Sequence, residues 1–225
     1  MTDVVRPQPL SGIGPVGLAE TERLGVEEEF HVVDLTTREL VARGPELLGR
    51  LPDTFTAELQ KSVVESNSSV CTRLDELRID LKRLRGELVS VADGLGLGVI
   101  AAGTVPLVDP EVLDLTDNDR FRQMHADYQL LVREQLICGT QVHVDVPDRD
   151  LAVAVTQRLV PWLPVLLALS ASSPFWLGQD SGYASSRSLA WQRWPTAGGS
   201  GATTAAEHDA LVADLVCRRP SVIRG

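Results

Sequence analysis

The sequence has few basic residues relative to its acidic ones. Its 225 residues include 21 lysines and arginines against 31 aspartates and glutamates, so the formal net charge is −10 at pH 7. Because a phosphate backbone or an anionic bilayer would be repelled by this charge, the composition argues against nucleic-acid and membrane-surface partners. It does not exclude ATP, whose charge a bound metal ion can offset.

Cysteines and long apolar runs are also scarce. The three cysteines, Cys71, Cys138 and Cys217, match no CxxC or CxxH metal spacing, and such a sparse, odd set favours a reducing compartment. No signal-peptide pattern is visible. The most apolar segment, 159–171, is shorter than the roughly 20 residues of a membrane span. These absences predict a cytoplasmic protein with no membrane association.

Three common catalytic signatures are missing. The sequence has no GxSxG nucleophile motif, and the glycine-rich run 198–201 lacks the GxxxxGK[ST] pattern of a P-loop. The glycines at 94, 96 and 98 precede a strand pattern, whereas a dinucleotide fingerprint joins a strand to a helix. Any nucleotide site in this chain is therefore expected to be of another type.

Hydrophobic periodicity predicts an α+β fold. Alternating residues predict strands over 24–33, 62–70 and 137–146, and an apolar run predicts a buried strand over 99–102. Helices connect these strands, so we expect a sheet with helices packed on its apolar side. Residues 1–20 are rich in proline and glycine and predict a flexible leader, followed by one domain over 21–225.

The clearest helix signal is a ladder of leucines and a valine stepping by three and four residues from Leu74 to Leu95. We expect this face to pack in the core, with Thr72 and Asp75 as a capping pair. Three more helices are predicted. They follow the cap signals at Asp117, cover 150–172 with a kink near Pro161 and Pro164, and run from Thr204 to about Val216.

Carboxylates collect on one face of the predicted sheet. Glu27 and Glu29 lie about 7 Å apart on the same side of one strand, where they repel each other unless a cation lies between them. Mg²⁺ prefers such oxygen ligands. An exposed acidic edge strand is the alternative interpretation.

Further polar groups on other candidate strands favour a site. These are Glu58, Glu65, Gln141 and His143. Glu58 and Glu65 are an odd number of residues apart, so a bulge or a turn near Ser62 is needed to bring both to one face. His143 alone is also consistent with a structural histidine.

Arg187 lies in a glycine- and proline-punctuated segment with two tryptophans, Trp191 and Trp194. A guanidinium donates two hydrogen bonds to a carboxylate or phosphate, so this segment predicts an anion-binding loop. The alternative is a loop anchored by buried tryptophans.

Six segments carry motifs in a fixed order. They are Leu24-Gly-Val-Glu-Glu-Glu-Phe30, Val64-Glu65 leading to Val70-Cys71, Ala102-Gly-Thr-Val-Pro106, Cys138-Gly-Thr-Gln-Val-His-Val144, Tyr183-Ala-Ser-Ser-Arg187 and Trp194-Pro-Thr-Ala-Gly198. Together they resemble the carboxylate-amine ligases of the glutamate–cysteine ligase type 2 family. Gln141 in place of a first histidine is similar to the actinobacterial branch of that family.

The resemblance implies a glutamine-synthetase-like antiparallel sheet that holds ATP and Mg²⁺. It also implies a reaction in which ATP phosphorylates the γ-carboxylate of glutamate and the amine of cysteine, or another amine, attacks the acyl phosphate. Carried over by position, the resemblance implies metal ligation by Glu27, Glu29, Glu58 and Glu65. Gln141 and His143 would contact metal or nucleotide, and Arg187 would bind phosphate or glutamate as a catalytic residue. A homo-oligomer is possible.

The sequence departs from the family at two places. Val105 stands where the family usually has a histidine in a GTHP motif, and residues 217–225 resemble nothing in the family. Because family members run beyond this chain, the resemblance predicts a C-terminally truncated member. The truncation favours one alternative, an inactive fragment that binds nucleotide or pairs with another chain. A second alternative is a metal-dependent amidase or other hydrolase that uses the same carboxylates.

Overall fold

The computed structural model describes residues 23–108, 114–199 and 201–217. The predicted leader, 1–20, and residues 218–225 lie outside these ranges. The strands are β1 (Leu24–Asp34), β2 (Phe55–Ala57), β3 (Val63–Asn67), β4 (Leu97–Ile100), β5 (Thr140–Val144), β6 (Phe175–Trp176) and β7 (Gln179–Asp180). The helices are α1 (Gly44–Leu48), α2 (Leu74–Asp93), α3 (Asp119–Tyr128), α4 (Leu130–Arg133), α5 (Arg149–Leu159), α6 (Leu163–Ser170), α7 (Ser186–Gln192) and α8 (Ala205–Cys217), with a 3-10 turn at Val160–Trp162.

Strand β1 is the centre of a five-stranded antiparallel sheet. Along one edge it pairs with β3, which in turn pairs with β2. Along the other edge it pairs first with β5, opposite Leu24–Glu28, and then with β4, opposite His31–Asp34. The predicted α+β class is confirmed.

All four predicted strands are present, but their bounds follow pairing more closely than composition. β3 and β5 are shorter than predicted, and β4 begins two residues earlier because Leu97 pairs with Asp34. β2 was not predicted, since its three residues are too few to show a period.

Helix α2 covers the apolar face of β1. Phe30 and Val32 of β1 pack in one buried cluster with Leu84 and Leu88 of α2. Each such fully buried side chain contributes roughly 1.5–3 kcal/mol relative to exposure. The predicted leucine ladder is confirmed as core packing, except that Leu74, the first helical residue, is exposed.

The predicted capping pair at the start of α2 is wrong. The N-cap is Arg73, which is extended and makes no side-chain cap. Thr72 donates to the carboxylate of Glu76 from both its backbone N–H and its hydroxyl. Asp75 instead accepts hydrogen bonds from the Arg73 guanidinium.

Helices α5 and α6, with the 3-10 turn between them, form one exposed helical stretch, Arg149–Ser170. Pro161 lies in the 3-10 turn, so the predicted break in the helix is confirmed. The stretch has 22 residues and is longer than the apolar segment 159–171 described from the sequence. By length and composition alone it could cross a membrane.

The apolar face of β1 also carries a buried charge. Glu28, whose side chain is 6% exposed, accepts hydrogen bonds from Nε and Nη2 of Arg85 on α2. Removing one partner from such a pair leaves an uncompensated charge in an apolar environment. This ion pair therefore links α2 to β1. It also accounts for a charged residue on the core-facing side of the strand, where the alternation alone would predict an apolar side chain.

We expect Arg85→Met to lower the free energy of unfolding by about 2 kcal/mol, because Glu28 then stays buried without its partner. Urea denaturation measures the change. Arg83→Met, which removes an exposed arginine two residues earlier in α2, is the control. It should change the free energy of unfolding by less than about 1 kcal/mol. An equal loss in both variants would contradict the role given to the Glu28 pair.

Candidate functional site

Three carboxylates of the opposite face converge although their spacing along the chain is odd. Glu29 of β1 lies directly opposite Glu65 of β3, and Glu65 lies opposite Thr56 of β2. Glu58 directly follows β2 and is two residues from Thr56, so it keeps the same face as Thr56. The turn before β3 thus resets the alternation, as one of the two predicted solutions requires.

The three side chains form a compact acidic cluster. One carboxylate oxygen from each of Glu29, Glu58 and Glu65 lies within 4.8 Å of the others. Among the described residues no lysine, arginine or histidine forms an ion pair with any of the three. Three hard oxygen donors at this separation fit a divalent cation such as Mg²⁺ or Mn²⁺.

Neighbouring groups orient these carboxylates. The backbone N–H of Gly139 donates to Oε2 of Glu29 at 2.8 Å. The hydroxyl of Thr56 donates to Oε1 of Glu65 at 2.9 Å, and the amide of Asn67 donates to the same oxygen at 3.3 Å. Glu58 accepts from the backbone N–H of Leu59. Each carboxylate is thus held in place while it retains oxygen lone pairs for a further partner.

Burial and mutual repulsion shift the titration of this cluster. The pKa of Glu29 is raised to about 7, first by burial and then by Glu58, while the Gly139 hydrogen bond opposes the shift. Burial also raises the pKa of Glu58, with Glu65 adding to the effect. Both shifts show that the fold disfavours the negative charges in the absence of a cation.

Glu27 lies outside this cluster. Its Oε1 is 3.3 Å from Nε2 of His143 on β5, in an open pocket next to the one that holds Glu29. Gln141, which lies opposite Glu27 in the β1–β5 register, faces the same cavity as Glu29 and Glu58. The predicted polar residues therefore share one sheet face, where Glu29, Glu58 and Gln141 line one pocket and Glu27 and His143 line another.

Glu29 and Glu58 of the acidic cluster form part of the floor of a cavity of about 450 Å³. The walls come from α3 and from the segment of α7 and its C-terminal extension, which contribute Phe121, Met124, Trp191 and Trp194. Trp194 packs on Tyr128 and donates from Nε1 to Gln135 at 2.8 Å. The alternative of a loop anchored by buried tryptophans is met only in part, because Trp194 is partly buried and Trp191 is exposed.

Arg187 lies between this cavity and a second one of about 290 Å³. Its Nε donates to the carbonyl of Cys138 at 2.7 Å, and its guanidinium lies 5.9 Å from the Trp191 ring centre. The remaining N–H groups can serve an anion. The second cavity is rich in hydroxyl groups, contributed by Thr140, Ser170, Ser172, Ser173, Ser185 and Ser188.

Gly139 allows this arrangement. A Cβ atom at this position would lie 2.5 Å from Nη2 of Arg187. The same residue supplies the N–H that binds Glu29. Gly139 thus brings the acidic cluster and the arginine together, a role that sequence reasoning missed although the glycine sits inside a quoted motif.

Arg120 of α3 was also missed. It lines the larger cavity, and its positive charge lowers the pKa of Glu58 against the effect of burial. No local signal marks Arg120, since it is one of several charged residues in an exposed helix.

The sequence model of the glutamate–cysteine ligase family 2 matches residues 23–216 of the chain. The chain belongs to this family. The structure explains why valine is suitable at position 105, where the sequence departs from the usual family motif. Val105 is buried in a small apolar cluster with Val33, Leu40 and Leu136, so it serves packing.

Two relatives carry the provisional name glutamate–cysteine ligase 2-2. The protein from Frankia casuarinae is 63% identical over 195 residues, covering 86% of this chain and 23% of that protein. The protein from Mycolicibacterium smegmatis is 58% identical over 206 residues, covering 90% of this chain and 52% of that protein. The chain thus spans about a quarter of one relative and about half of the other.

Two solved structures share the fold. A bifunctional glutathione synthetase from Pasteurella multocida has a TM-score of 0.69 at 14% identity, over 90% of this chain and 31% of that chain. A glutamate–cysteine ligase from Francisella tularensis in complex with AMP has a TM-score of 0.57 at 14% identity, over 68% of this chain and 35% of that chain.

Divalent cations should stabilise the protein through the acidic cluster. At 100 times its dissociation constant, Mn²⁺ should add about 2.7 kcal/mol to the free energy of unfolding. Glu58→Gln should remove this gain, and without metal it should raise Tm by roughly 2–4 °C, because it relieves a repulsion on the order of 1 kcal/mol. Thermal unfolding with and without Mn²⁺ measures both effects.

The control for this experiment is Glu39→Gln, which alters an exposed carboxylate away from the cluster. It should keep the full stabilisation by Mn²⁺. Retention of that stabilisation in Glu58→Gln would exclude the cluster as the binding site.

Gly139→Ala should lower the free energy of unfolding by about 1 kcal/mol, since the added methyl group displaces the guanidinium of Arg187. Gly86→Ala is the matched control, because nothing lies within 4 Å of a Cβ atom at this exposed position of α2. The control should instead gain about 0.5–1 kcal/mol from helix propensity. Chemical denaturation compares the two, and similar gains would show that Gly139 is not needed for the Arg187 position.

Proposed function

We propose that this chain carries the metal-binding part of an ATP-dependent carboxylate-amine ligase that joins glutamate to cysteine or another amine. The observation that carries the proposal is the acidic cluster of Glu29, Glu58 and Glu65, of which Glu29 and Glu58 line a cavity with Arg187 on its wall. Family membership supports the ligase class. A reducing, cytoplasmic location is proposed with it.

The acidic cluster suits phosphoryl transfer better than proton transfer alone. Mg²⁺ held by Glu29, Glu58 and Glu65 would offset phosphate charge during the transfer. The three side chains are oriented by Gly139, Leu59, Thr56 and Asn67 before any ligand arrives. Such preorganisation reduces the reorganisation needed in the transition state.

Other residues are assigned to the substrates. Arg187, held by the Cys138 carbonyl, would bind the phosphoryl group or the glutamate carboxylate with its remaining donors. Gln141 faces the larger cavity and would contact metal or nucleotide. Glu27 and His143, paired in the adjoining pocket, would hold a further metal ion or the nucleotide.

The AMP-bound ligase from Francisella tularensis shares the fold over part of its length. Its name supports nucleotide as the ligand class. The chain spans about half of the Mycolicibacterium smegmatis relative and smaller shares of the Frankia casuarinae relative and of the Francisella tularensis ligase. The complete reaction is therefore proposed for the whole catalytic unit to which these residues belong.

Release of ADP tests the proposal. With Mg²⁺ and ATP, release of ADP should require both glutamate and an amine acceptor. Glu29→Gln should reduce the rate of release by about 100-fold or more, because it removes a charged ligand of the metal ion that stabilises phosphoryl transfer. A coupled assay measures the rate, and Glu39→Gln is again the control. Undiminished release in Glu29→Gln would refute the site.

The non-catalytic alternative is favoured by one observation, the partial coverage of the relatives. In that case calorimetry should detect Mg²⁺-dependent ATP binding that is weakened by Glu29→Gln, without ADP release. Cleavage of a γ-glutamyl amide in the absence of ATP would instead support the metal-dependent amidase.

A further inference from the structure

The second cavity, of about 290 Å³, differs in chemistry from the larger one. The larger cavity has aromatic walls that include Phe121 and Trp194, whereas serines form much of the lining of the second cavity. Glu29 and Arg187 line both, so a ligand in the second cavity lies next to the acidic cluster. Because pockets for drug-sized ligands begin at about 300 Å³, the second cavity suits a compact polar molecule better than a nucleotide.

The side chain of Arg187 is fixed along its length. Its Nε donates to the carbonyl of Cys138 at 2.7 Å. A Cβ atom at Gly103 would lie 3.2 Å from Cδ of Arg187, and one at Gly139 would lie 2.5 Å from Nη2, so both glycines let the backbone pack directly against this side chain. Within the described part of the chain, Nη1 and Nη2 have no hydrogen-bond acceptor. A guanidinium already held in place loses little conformational entropy when it binds an anion.

Hydrogen bonds connect three serines of the second cavity in one direction. The hydroxyl of Ser173 donates to Oγ of Ser185 at 3.4 Å. The backbone N–H of Ser188 donates to the same oxygen at 3.3 Å. A hydroxyl oxygen has two lone pairs, and these two bonds use both. In its 2.9 Å contact with Oγ of Ser188, the Ser185 hydroxyl therefore acts as the donor.

The hydroxyl proton of Ser188 is consequently left for a ligand. Its oxygen accepts from Ser185, and none of the described residues accepts a hydrogen bond from it. Ser188 lines the second cavity together with Arg187, the residue before it. A neutral O–H donor and a cationic N–H donor side by side suit an oxyanion.

We propose that the second cavity binds a dicarboxylate substrate, and that Ser188 and Arg187 hold the carboxylate that is not activated. The other carboxylate lies toward Glu29 and the acidic cluster, beside the larger cavity. Ser188 is thereby a specificity residue, which selects a dicarboxylic amino acid such as glutamate over a monocarboxylic one. The inference rests on the proposed ligase function and assigns its carboxylate substrate to one cavity.

Calorimetry with two ligands tests this role of Ser188. The probes are L-glutamate and 4-aminobutyrate, which lacks the α-carboxylate, each added to the full chain with Mg²⁺. Ser188→Ala should weaken L-glutamate binding at least about tenfold, because a hydrogen bond to a charged group is lost. The preference of the chain for L-glutamate over 4-aminobutyrate should fall by a similar factor, because the second ligand has no carboxylate at Ser188.

Two further variants make the test specific. Ser188→Cys keeps a side chain of similar shape with a weaker donor, and it should give an intermediate loss. Ser90→Ala, at an exposed position of α2, is the control and should bind L-glutamate as the unmodified chain does. Unchanged thermal midpoints would show that each variant is folded.

A nucleotide titration distinguishes a carboxylate from a phosphate at these donors. Binding of ADP with Mg²⁺ should change by less than about twofold in Ser188→Ala, because the nucleotide does not occupy the second cavity. If Ser188→Ala weakened ADP binding and left L-glutamate binding intact, the donors would hold phosphate and the proposal would be overturned.

Three other results would also overturn it. They are no binding of L-glutamate at about 10 mM, equal weakening by Ser90→Ala, and an unchanged preference over 4-aminobutyrate in Ser188→Ala. These titrations involve no turnover. Glutamate-dependent ADP release without an effect of Ser188→Ala on L-glutamate binding would leave the ligase proposal standing, whereas that effect without ADP release would support this cavity and refute the reaction.

Discussion

The alternation of side chains along β1 is the constraint on which the rest of the structure depends. One face of this strand carries Phe30 and Val32 into the core against α2, and the other carries Glu29 into the acidic cluster. A slip of one residue against β3 would exchange the faces, burying Glu29 in the core and moving it away from Glu65. Core packing on one side therefore secures the carboxylate geometry on the other.

The acidic cluster is unfavourable for the isolated fold. Partial burial and proximity raise the pKa of Glu29 and Glu58, so their charged forms are disfavoured without a cation. The Gly139 N–H offsets part of this cost at Glu29. A site that holds like charges close together favours binding of a ligand of opposite charge. The cluster is therefore a candidate functional site.

Sequence reasoning located those elements whose own residues show a period. The leucines of α2 and the alternating residues of β5 were sufficient to predict a helix and a strand. It could not find β2, because three residues carry no period, and so it could not decide between a bulge and a turn near Ser62 as the way in which Glu58 and Glu65 share a face. The Thr72–Asp75 capping pair also failed, since Arg73 competes for the Asp75 carboxylate.

The sequence by itself determined the family, the two chemical faces of β1 and the set of acidic residues available to bind metal, because these depend on residue type and local spacing. Tertiary structure decided which residues meet. It joined Glu29 with Glu58 and Glu65, paired Glu27 with His143, and placed Arg187 against Gly139. These choices depend on strand register and turn geometry between distant segments, which local patterns do not encode. The same long-range packing leaves β5 and α5–α6 exposed.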